Sequence, residues 1–301
     1  MKAEKVRVSP RQENIRLKKR SNFGEIWHRL IRNPVALICL TYLAVLLIGI
    51  IFADVIAPYE YDQTDLKSRF LLPSKEHIMG TDDFGRDLFT RLLYGGRTSL
   101  LVAVIAVAIG IGAGMIIGAA CGYFGPVVDN ILMRFMDIIM AIPGMLLAIC
   151  VSVALGSGIV NTAIAIAVGT IPLIARQLRS STLLIRNQEY IEASRLFGAG
   201  SVKIIISHVI PNTLAPIIVQ ASLYIGGSIM AIAGLSFLGL GVKPPTPEWG
   251  NILDNGLNYI YDAATRWHVI LFPALIIVVT MLAFNLLGDC LRDAMDPRMK
   301  K

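Results

Sequence analysis

The residue types that most often hold metals or form disulfides are scattered along this 301-residue chain. No two cysteines have C-x-x-C spacing, and no two histidines have ligand spacing on one helix face. The cysteines fall within or at the ends of apolar runs, which favours small buried side chains over disulfides or metal ligands. These residues are Cys39, Cys121, Cys150 and Cys290, and the histidines are His28, His77, His208 and His268.

Sequence motifs for nucleotide binding and hydrolysis are also missing. The chain contains no G-x-x-x-x-G-K segment, so it cannot bind ATP through a P-loop of its own. It contains no G-x-S-x-G or H-E-x-x-H motif, and few polar residues lie inside its apolar runs. We therefore expect neither an enzyme nor a bound cofactor. Active transport by this chain would need a partner that hydrolyses ATP.

The elements that position the polar residues are membrane helices. The chain is 55% apolar and 16% charged, with a mean hydropathy of +0.64, which is unusual for a soluble protein. A membrane helix needs about 18 or more apolar residues, and bundled helices satisfy their own backbone polar groups in lipid. We therefore predict an all-α polytopic membrane protein. Its six predicted transmembrane helices are Val35–Ala53, Ser99–Cys121, Ile131–Leu155, Val160–Ala175, Thr213–Leu235 and Val269–Cys290.

The distribution of Lys and Arg predicts which ends face the cytosol. If the N-terminus is cytosolic, the cytosolic segments hold 20 of the 28 basic residues, so the positive-inside rule favours an N-in, C-in topology. The outer segment Asp54–Thr98 runs against this trend with six basic residues, but it also carries eight acidic ones. The first apolar run is too long for a signal-peptide core and is expected to stay as a span. The net charge of +7 then indicates anionic lipid, and not nucleic acid, as a partner.

Apolar residues before the first span recur at the period of an amphipathic helix. We predict that this helix lies on the inner membrane surface and ends at Asn33-Pro34. Its apolar residues are Phe23, Ile26, Trp27, Leu30 and Ile31. The predicted organisation is a cytosolic tail with this helix (1–34), a first transmembrane helix (35–53), an outer loop (54–98), a five-helix core (99–290) that includes a second outer loop (236–267), and a cytosolic C-terminus (291–301).

Glycines and prolines recur inside the predicted spans. Four glycines at four-residue steps share one face of the second span, which favours tight helix packing over a sliding contact or a pathway lining. They are Gly110, Gly114, Gly118 and Gly122. Four prolines each remove a backbone hydrogen bond and can kink a helix. They are Pro143, Pro172, Pro216 and Pro273.

Charged residues cluster near several predicted helix ends. In the first outer loop, Thr81 or Asp82 is predicted to cap a helix that carries Phe84, Leu88 and Leu92. The spacing there lacks the pattern of a calcium loop, so we favour capping over metal binding. The predicted ion pairs are Asp83 with Arg86, Asp87 with Arg91, Arg134 with Asp137, and Arg292 with Asp289, Asp293 and Asp296.

The segment Arg186–Pro211 lies between the fourth and fifth spans on the predicted cytosolic side. Arg186–Phe197 lacks Gly and Pro and is polar enough to form a helix in water, which Gly198 and Gly200 would end. Ser201 is predicted to cap a short second helix, and Pro211 to open the next span. The apolar face of that second helix would consist of Val202, Ile205, Ile206 and Val209. Such an ordered loop indicates a contact with a partner.

The spacing of this segment resembles the "EAA" signature of bacterial ABC importer permeases. Glu192-Ala193-Ser194 is followed by Gly198 and by Ile210-Pro211 at the family's distances. Ser194 replaces an alanine of the family pattern, His208 an isoleucine and Ile210 a leucine. The segments GTDDFGRD, GYFG, LSFLGLG, PPTPEWG and GDCLRDAMDP are similar to the C-type subunit of the dipeptide/oligopeptide/nickel branch. The resemblance covers roughly residues 26 to 300.

This resemblance implies a set of partners. Such a permease pairs with a second, B-type permease, is powered by two cytosolic ABC ATPase subunits, and receives substrate from an extracytoplasmic binding protein. The helix around Glu192 would be the coupling helix that fits a groove of one ATPase, in a type I importer fold within the bacterial cell membrane. The residues assigned to ATPase coupling are Glu192, Ala193, Ser194, Arg195, Gly198, Ala199, Gly200 and Pro211.

The substrate and one alternative class stay open at this stage. The branch implies di- and oligopeptides, with glutathione, nickel or a metal chelate as alternative substrates. The predicted spans hold no charged cluster that would fix a ligand, so the pathway-lining residues are not identified. A membrane channel or scaffold without an ATPase is the alternative class, and it would leave the Glu192 helix without a partner.

Overall fold

The computed structural model describes residues 22–295, which fold into a helical bundle. Five of its helices are long and apolar enough to cross a membrane, and a bent pair gives a sixth crossing. The all-helical prediction is confirmed. The helices are α1 Asn22–Arg32, α2 Pro34–Ile51, α3 Ala53–Ile56, α4 Leu88–Tyr123, α5 Pro126–Met140, α6 Gly144–Leu155, α7 Ile159–Ile185, α8 Glu189–Leu196, α9 Ser201–Ile204, α10 Ile210–Phe237, α11 Trp249–Leu257, α12 Ala263–Arg266 and α13 His268–Met295; Leu66–Ser68 and Ile260–Asp262 are 3₁₀ turns.

Helices α4 and α7 run parallel and form the most extensive contact of the bundle. The glycine face of α4 makes this contact possible, because a Cβ atom added at Gly114 would lie 2.7 Å from Cβ of Ile174. Gly110, Gly118 and Gly122 meet α7 in the same way, at Thr170, Ala175 and Thr182. The structure therefore confirms tight helix packing as the reason for this glycine ridge.

The length of α4 separates the molecule into two ends. Its 36 residues span about 54 Å at about 1.5 Å per residue. One end, here called the loop end, carries residues 57–87 and 238–267. The other, here called the coupling end, carries α8, α1 and the C-terminal end of α13, where Leu30 packs against Cys290 and Ala294.

The third predicted span is a broken helix. Helices α5 and α6 meet at 91°, so the prediction of one helix over Ile131–Leu155 is wrong. The break lies at residues 141–143, and Pro143 takes the N-cap position of α6. Because α4 and α7 run parallel, this bent pair must return the chain across the bundle between them.

Two ion pairs hold α5 against α7. Asp137 accepts a hydrogen bond from Arg176 at 2.8 Å, so the predicted pairing of Asp137 with Arg134 is wrong. Asp129 accepts two hydrogen bonds from Arg179, one of them at 2.6 Å. These side chains lie 39 and 50 residues apart in the chain, a distance at which helical spacing carries no signal.

Helix α4 begins before the predicted span Ser99–Cys121 and after the start of the predicted outer-loop helix, so neither Thr81 nor Asp82 caps it. Asp87 is its N-cap and accepts a hydrogen bond from the backbone N–H of Thr90 at 2.8 Å, whereas Phe84 precedes the helix. Asp87 also contacts Nδ1 of His77 at 2.9 Å and does not pair with Arg91. Arg91 lies 3.4 Å from Asp82, and the predicted pair of Arg86 with Asp83 is present at 3.6 Å. Burial, and then the neighbouring Asp82 carboxylate, raise the pKa of Asp83.

Glu248 ties three helices together at the loop end. This buried carboxylate accepts hydrogen bonds from the hydroxyls of Ser99 on α4 (2.8 Å) and Ser236 on α10 (2.7 Å). As the N-cap of α11 it also accepts from the backbone N–H groups of Gly250 and Asn251, at 2.9 and 3.0 Å. Four donors therefore compensate the burial of its charge.

Three other predictions concern α1, the end of α13 and the four cysteines. In α1, Ile26 and Leu30 pack on α13, while Trp27 and Ile31 are exposed. Within residues 22–295, Arg292 forms no ion pair with Asp289 or Asp293, contrary to the prediction; Asp296 lies outside the described residues. Of the four cysteines, Cys150 is exposed and the other three are buried.

We predict that Glu248→Ala lowers the free energy of unfolding by about 3 kcal/mol, because two buried hydroxyls and two backbone N–H groups lose their acceptor. Thermal unfolding of the detergent-purified protein measures the change. Glu60→Ala removes an exposed carboxylate from the same end and is expected to change stability by less than about 0.5 kcal/mol. Equal stability of both variants would show that Glu248 does not tie the loop end together.

Candidate coupling site

Helix α8 is a short polar helix that projects from the coupling end. Glu189 and Glu192 lie in its first turn, where their charge complements the positive end of the helix dipole. Its one fully buried side chain is Ile191, which anchors the helix to the bundle. The observed limits Glu189–Leu196 are shorter than the predicted Arg186–Phe197, because residues 186–188 form the turn that leaves α7.

A glycine turn ends α8 and fixes the direction of the chain that follows. Gly198 has φ of +79°, and its N–H donates to the carbonyl of Arg195 at 2.9 Å. The N–H of Ala199 donates to the carbonyl of Ser194 at 3.0 Å. This pair of bonds is the Schellman arrangement, which requires a left-handed residue and so favours glycine. The prediction that Gly198 ends the helix is confirmed.

The predicted coupling residues divide into an exposed group and a half-buried pair. Leu196 and Phe197 lie beside them, are 88% and 92% exposed, and were not among the predicted coupling residues. Such exposed large apolar side chains on a polar helix are typical of surfaces that bind a partner. The exposed group is Glu192, Ala193, Arg195, Gly198, Gly200 and Pro211; the half-buried pair is Ser194 and Ala199.

Two arginines connect this region to the end of α4. The Arg195 guanidinium lies 5.1 Å from the centre of the Tyr123 ring and donates to its hydroxyl at 3.3 Å. Arg186 donates to the carbonyl of Gly122 at 3.0 Å, which satisfies one of the free carbonyls at the C-terminus of α4. Arg195 therefore joins α8 to the end of α4, and Arg186 joins the turn after α7 to the same end.

The two residues that depart most from the family pattern contact each other. The hydroxyl of Ser194 lies 3.2 Å from Nε2 of His208, and it donates to the carbonyl of Tyr190 at 2.8 Å. The His208 ring also packs edge-on against Tyr190, with ring centres 5.9 Å apart. Where the family pattern has alanine and isoleucine, this chain has a polar pair that links α8 to the next helix.

The second half of the segment differs from the prediction. Helix α9, the π-helical turn Ile205–Val209 and α10 join into one continuous helical rod, Ser201–Phe237, so the predicted short helix does not end before Pro211. Gly200, and not Ser201, takes the N-cap position. Of the predicted apolar face, Val209 is buried and Ile205 is partly buried, but Val202 and Ile206 are exposed.

A groove of about 570 Å³ lies between α6, α7 and α10, and no sequence pattern predicted it. None of its lining residues is charged. Its hydroxyl groups belong to Thr170, Tyr224 and Ser228. The other lining residues are small or apolar: Gly144, Met145, Ala148, Ile166, Gly169, Gly227, Met230, Ala231 and Gly234. The residues come from three separate stretches of the chain, 144–148, 166–170 and 224–234, which explains why no local pattern reveals the groove.

Two family models together match most of the chain. Residues 90–301 match the binding-protein-dependent transport system inner membrane component. Residues 21–73 match the N-terminal TM domain of oligopeptide transport permease C. The chain belongs to this family of importer permeases. It is therefore the permease subunit of an ABC importer and a multi-pass inner-membrane protein, as the resemblance predicted.

Similar proteins support this assignment. The permease is 43% identical over 285 residues to the glutathione transport system permease protein GsiD of Escherichia coli O6:K15:H31. The aligned region covers 93% of this chain and 92% of that protein. The GsiD protein of Shigella boydii serotype 4 gives the same values. A structure of the MetNI methionine ABC transporter in an inward-facing conformation aligns with a TM-score of 0.51 at 19% identity, covering 67% of this chain and 96% of that chain. This likeness confirms the predicted permease fold.

We predict that Ser194 and His208 stabilise the permease as a pair. Ser194→Ala and His208→Ile each leave one polar partner without its contact, so the double variant should lose less stability than the two single losses combined, by about 1 kcal/mol. Thermal unfolding of the four proteins measures this coupling. Ser201→Ala with His208→Ile is the control, because Ser201 makes no capping bond; its effects should add. Additive effects for the first pair would contradict the contact.

Proposed function

We propose that α8 is the coupling helix through which a cytosolic ABC ATPase drives this permease. The observation that carries the proposal is the exposed surface at the end of α8, where Leu196 and Phe197 project beside the charges of Glu192 and Arg195. Apolar side chains next to charged ones suit a groove on a soluble partner better than they suit lipid. The assembly would contain two such ATPases, a B-type permease and an extracytoplasmic binding protein.

The contacts of α8 suggest how the movement is transmitted. Closure of the ATPases would push α8, and Arg186 and Arg195 would pass the displacement to the end of α4. The Ser194–His208 contact would pass it to the π-helical turn that leads into α10. A partner that prefers one position of α8 in its ATP-bound state biases the bundle between two packed states.

We infer that the coupling end faces the cytosol. Helix α1, helix α8 and the C-terminal end of α13 share this end, so the first and the last described helix reach the same end of the bundle as α8. The basic residues concentrate in the segments at this end, which supports an N-in, C-in topology. The loop end would then face outward, where the binding protein docks.

We propose short peptides as the substrate class, with glutathione as the first compound to test. The oligopeptide permease model that matches the N-terminal part and the identity to GsiD support this choice. Glutathione is itself a tripeptide, so both comparisons indicate the same chemistry. A metal chelate stays the alternative, and competition with glutathione for uptake separates the two.

We predict that Glu192→Lys uncouples ATP hydrolysis from transport. In vesicles that contain the complete importer, glutathione uptake should fall by at least about tenfold, because charge reversal at a buried interface removes a favourable charge contact. ATP hydrolysis and membrane insertion should persist. Normal uptake would contradict the coupling role, and failure of the wild-type chain to co-purify with the ATPases would favour a channel or scaffold.

A glycine pair provides the matched control for the same measurement. An added Cβ meets nothing within 4 Å at either Gly198 or Gly200, but only Gly198 has positive φ. Gly198→Val should therefore strain the turn by about 1–2 kcal/mol and reduce uptake more than Gly200→Val, which adds the same side chain without straining the backbone. Equal uptake by the two variants would show that the geometry of this turn does not matter for coupling.

We predict opposite labelling of the two ends of the permease in intact cells. In a variant without the four native cysteines, Tyr261→Cys should react with a membrane-impermeant maleimide added outside, because Tyr261 is 99% exposed at the loop end. Leu196→Cys should react only after the membrane is opened. The reverse pattern would overturn the N-in, C-in topology.

A further inference from the structure

The glycines in the apolar helices fall into two physical kinds. At most of them an added Cβ would collide with a neighbouring helix, so packing explains the residue, as it does along α4. At four of them, within the described chain, an added Cβ would meet nothing within 4 Å: Gly112, Gly144, Gly169 and Gly227. Glycine destabilises a helix relative to alanine, so a glycine without a packing reason needs another explanation.

Three of these four open glycines line the same groove. Gly144 begins α6, Gly169 lies in the middle of α7, and Gly227 lies in the middle of α10. The fourth, Gly112, lies on an exposed position of α4 outside the groove. Three separate helices therefore each place a glycine, which has no side chain, in the wall of this groove. The groove volume of about 570 Å³ is in the range of ligand sites.

The polar groups of the groove indicate a ligand instead of a partner helix. Ser228 is only 3% exposed as a residue and still contributes to the lining of the groove. Tyr224 stands one turn before it on the same face of α10. A partner helix would pack along a ridge on one helix, as α7 does on the α4 glycines, and would leave these hydroxyls unsatisfied.

We propose that Gly144, Gly169 and Gly227 set the width of the transport pathway and so determine which substrates pass. The proposal rests on the transport role proposed above. Because no charged side chain lines the groove, the wall can hold neither end of a peptide by an ion pair. The groove wall selects substrates by their cross-section and offers hydroxyl groups to a peptide's polar backbone. The substrate class is therefore molecules of short-peptide size, without selection by charge at this wall.

A series of increasing side chains at Gly227 tests this width. Gly227→Ala, Gly227→Val and Gly227→Leu should lower glutathione uptake stepwise in reconstituted vesicles, with a loss of at least about tenfold for leucine, the usual scale of overpacking. The same series at Gly169 should give the same order. Gly112→Leu is the matched control, since its Cβ is equally open but lies outside the groove; it should transport normally.

The amount of partner permease that co-purifies with each variant shows whether the groove is a transport pathway or a binding site for a helix of the partner permease. Unchanged assembly with reduced uptake supports the proposal. Loss of the partner from Gly227→Leu would overturn it and assign the groove to a partner helix. Uptake that does not depend on side-chain size would also overturn it.

A labelling measurement keeps the test independent of the substrate. In the assembled importer without native cysteines, Gly227→Cys should react with a charged thiosulfonate reagent, while Gly112→Cys in lipid should not. Absence of labelling at position 227 would overturn the pathway assignment. Labelling there without glutathione uptake by the wild type would instead reject glutathione and leave the groove as proposed.

Discussion

The parallel packing of α4 on α7 is the constraint on which the rest of the structure depends. Glycine at four successive turns of α4 lets the two backbones approach closely, so their register along the common length is fixed. The same stretch of α7 faces two ways: Thr170 contacts α4 at Gly110 and also lines the groove beside Gly169. One packed pair thus supports both the pathway wall and the end where α8 attaches.

The attachment of α8 combines a stiff turn with contacts to two different helices. The Schellman turn at Gly198 fixes the angle between α8 and the rod that follows, because its two backbone bonds leave little freedom. On one side, Arg195 donates to the Tyr123 hydroxyl and Arg186 donates to the Gly122 carbonyl. On the other side, Ser194 contacts His208. Ser194 and His208 each depart from the family pattern. Because the two side chains contact each other, the two departures together create one polar contact.

The sequence predicted what depends on local periodicity and missed what depends on distant partners. Hydropathy located the membrane crossings, and the four-residue glycine spacing predicted the α4 contact. Hydropathy alone could not show the 91° break before Pro143, because both arms are apolar. The cap at Asp87 and the pair of Asp137 with Arg176 are decided by the folded surroundings. The groove requires three helices to be brought together, and no local pattern contains that information.

The position of Glu248 explains how the groove could change shape while the bundle stays intact. Its hydrogen bonds to Ser99 and Ser236 join α10 to α4 at the loop end, where breaking them would leave the buried carboxylate with only its two backbone donors. The opposite end of the α10 rod contains the π-helical turn and the contact with α8. If the proposed coupling pushes one end of the rod while Glu248 ties the other, displacement of α8 would rotate α10 about its loop end. Gly227 and Ser228 lie between these two points, so such a rotation would change the distance between α10 and α7 across the groove.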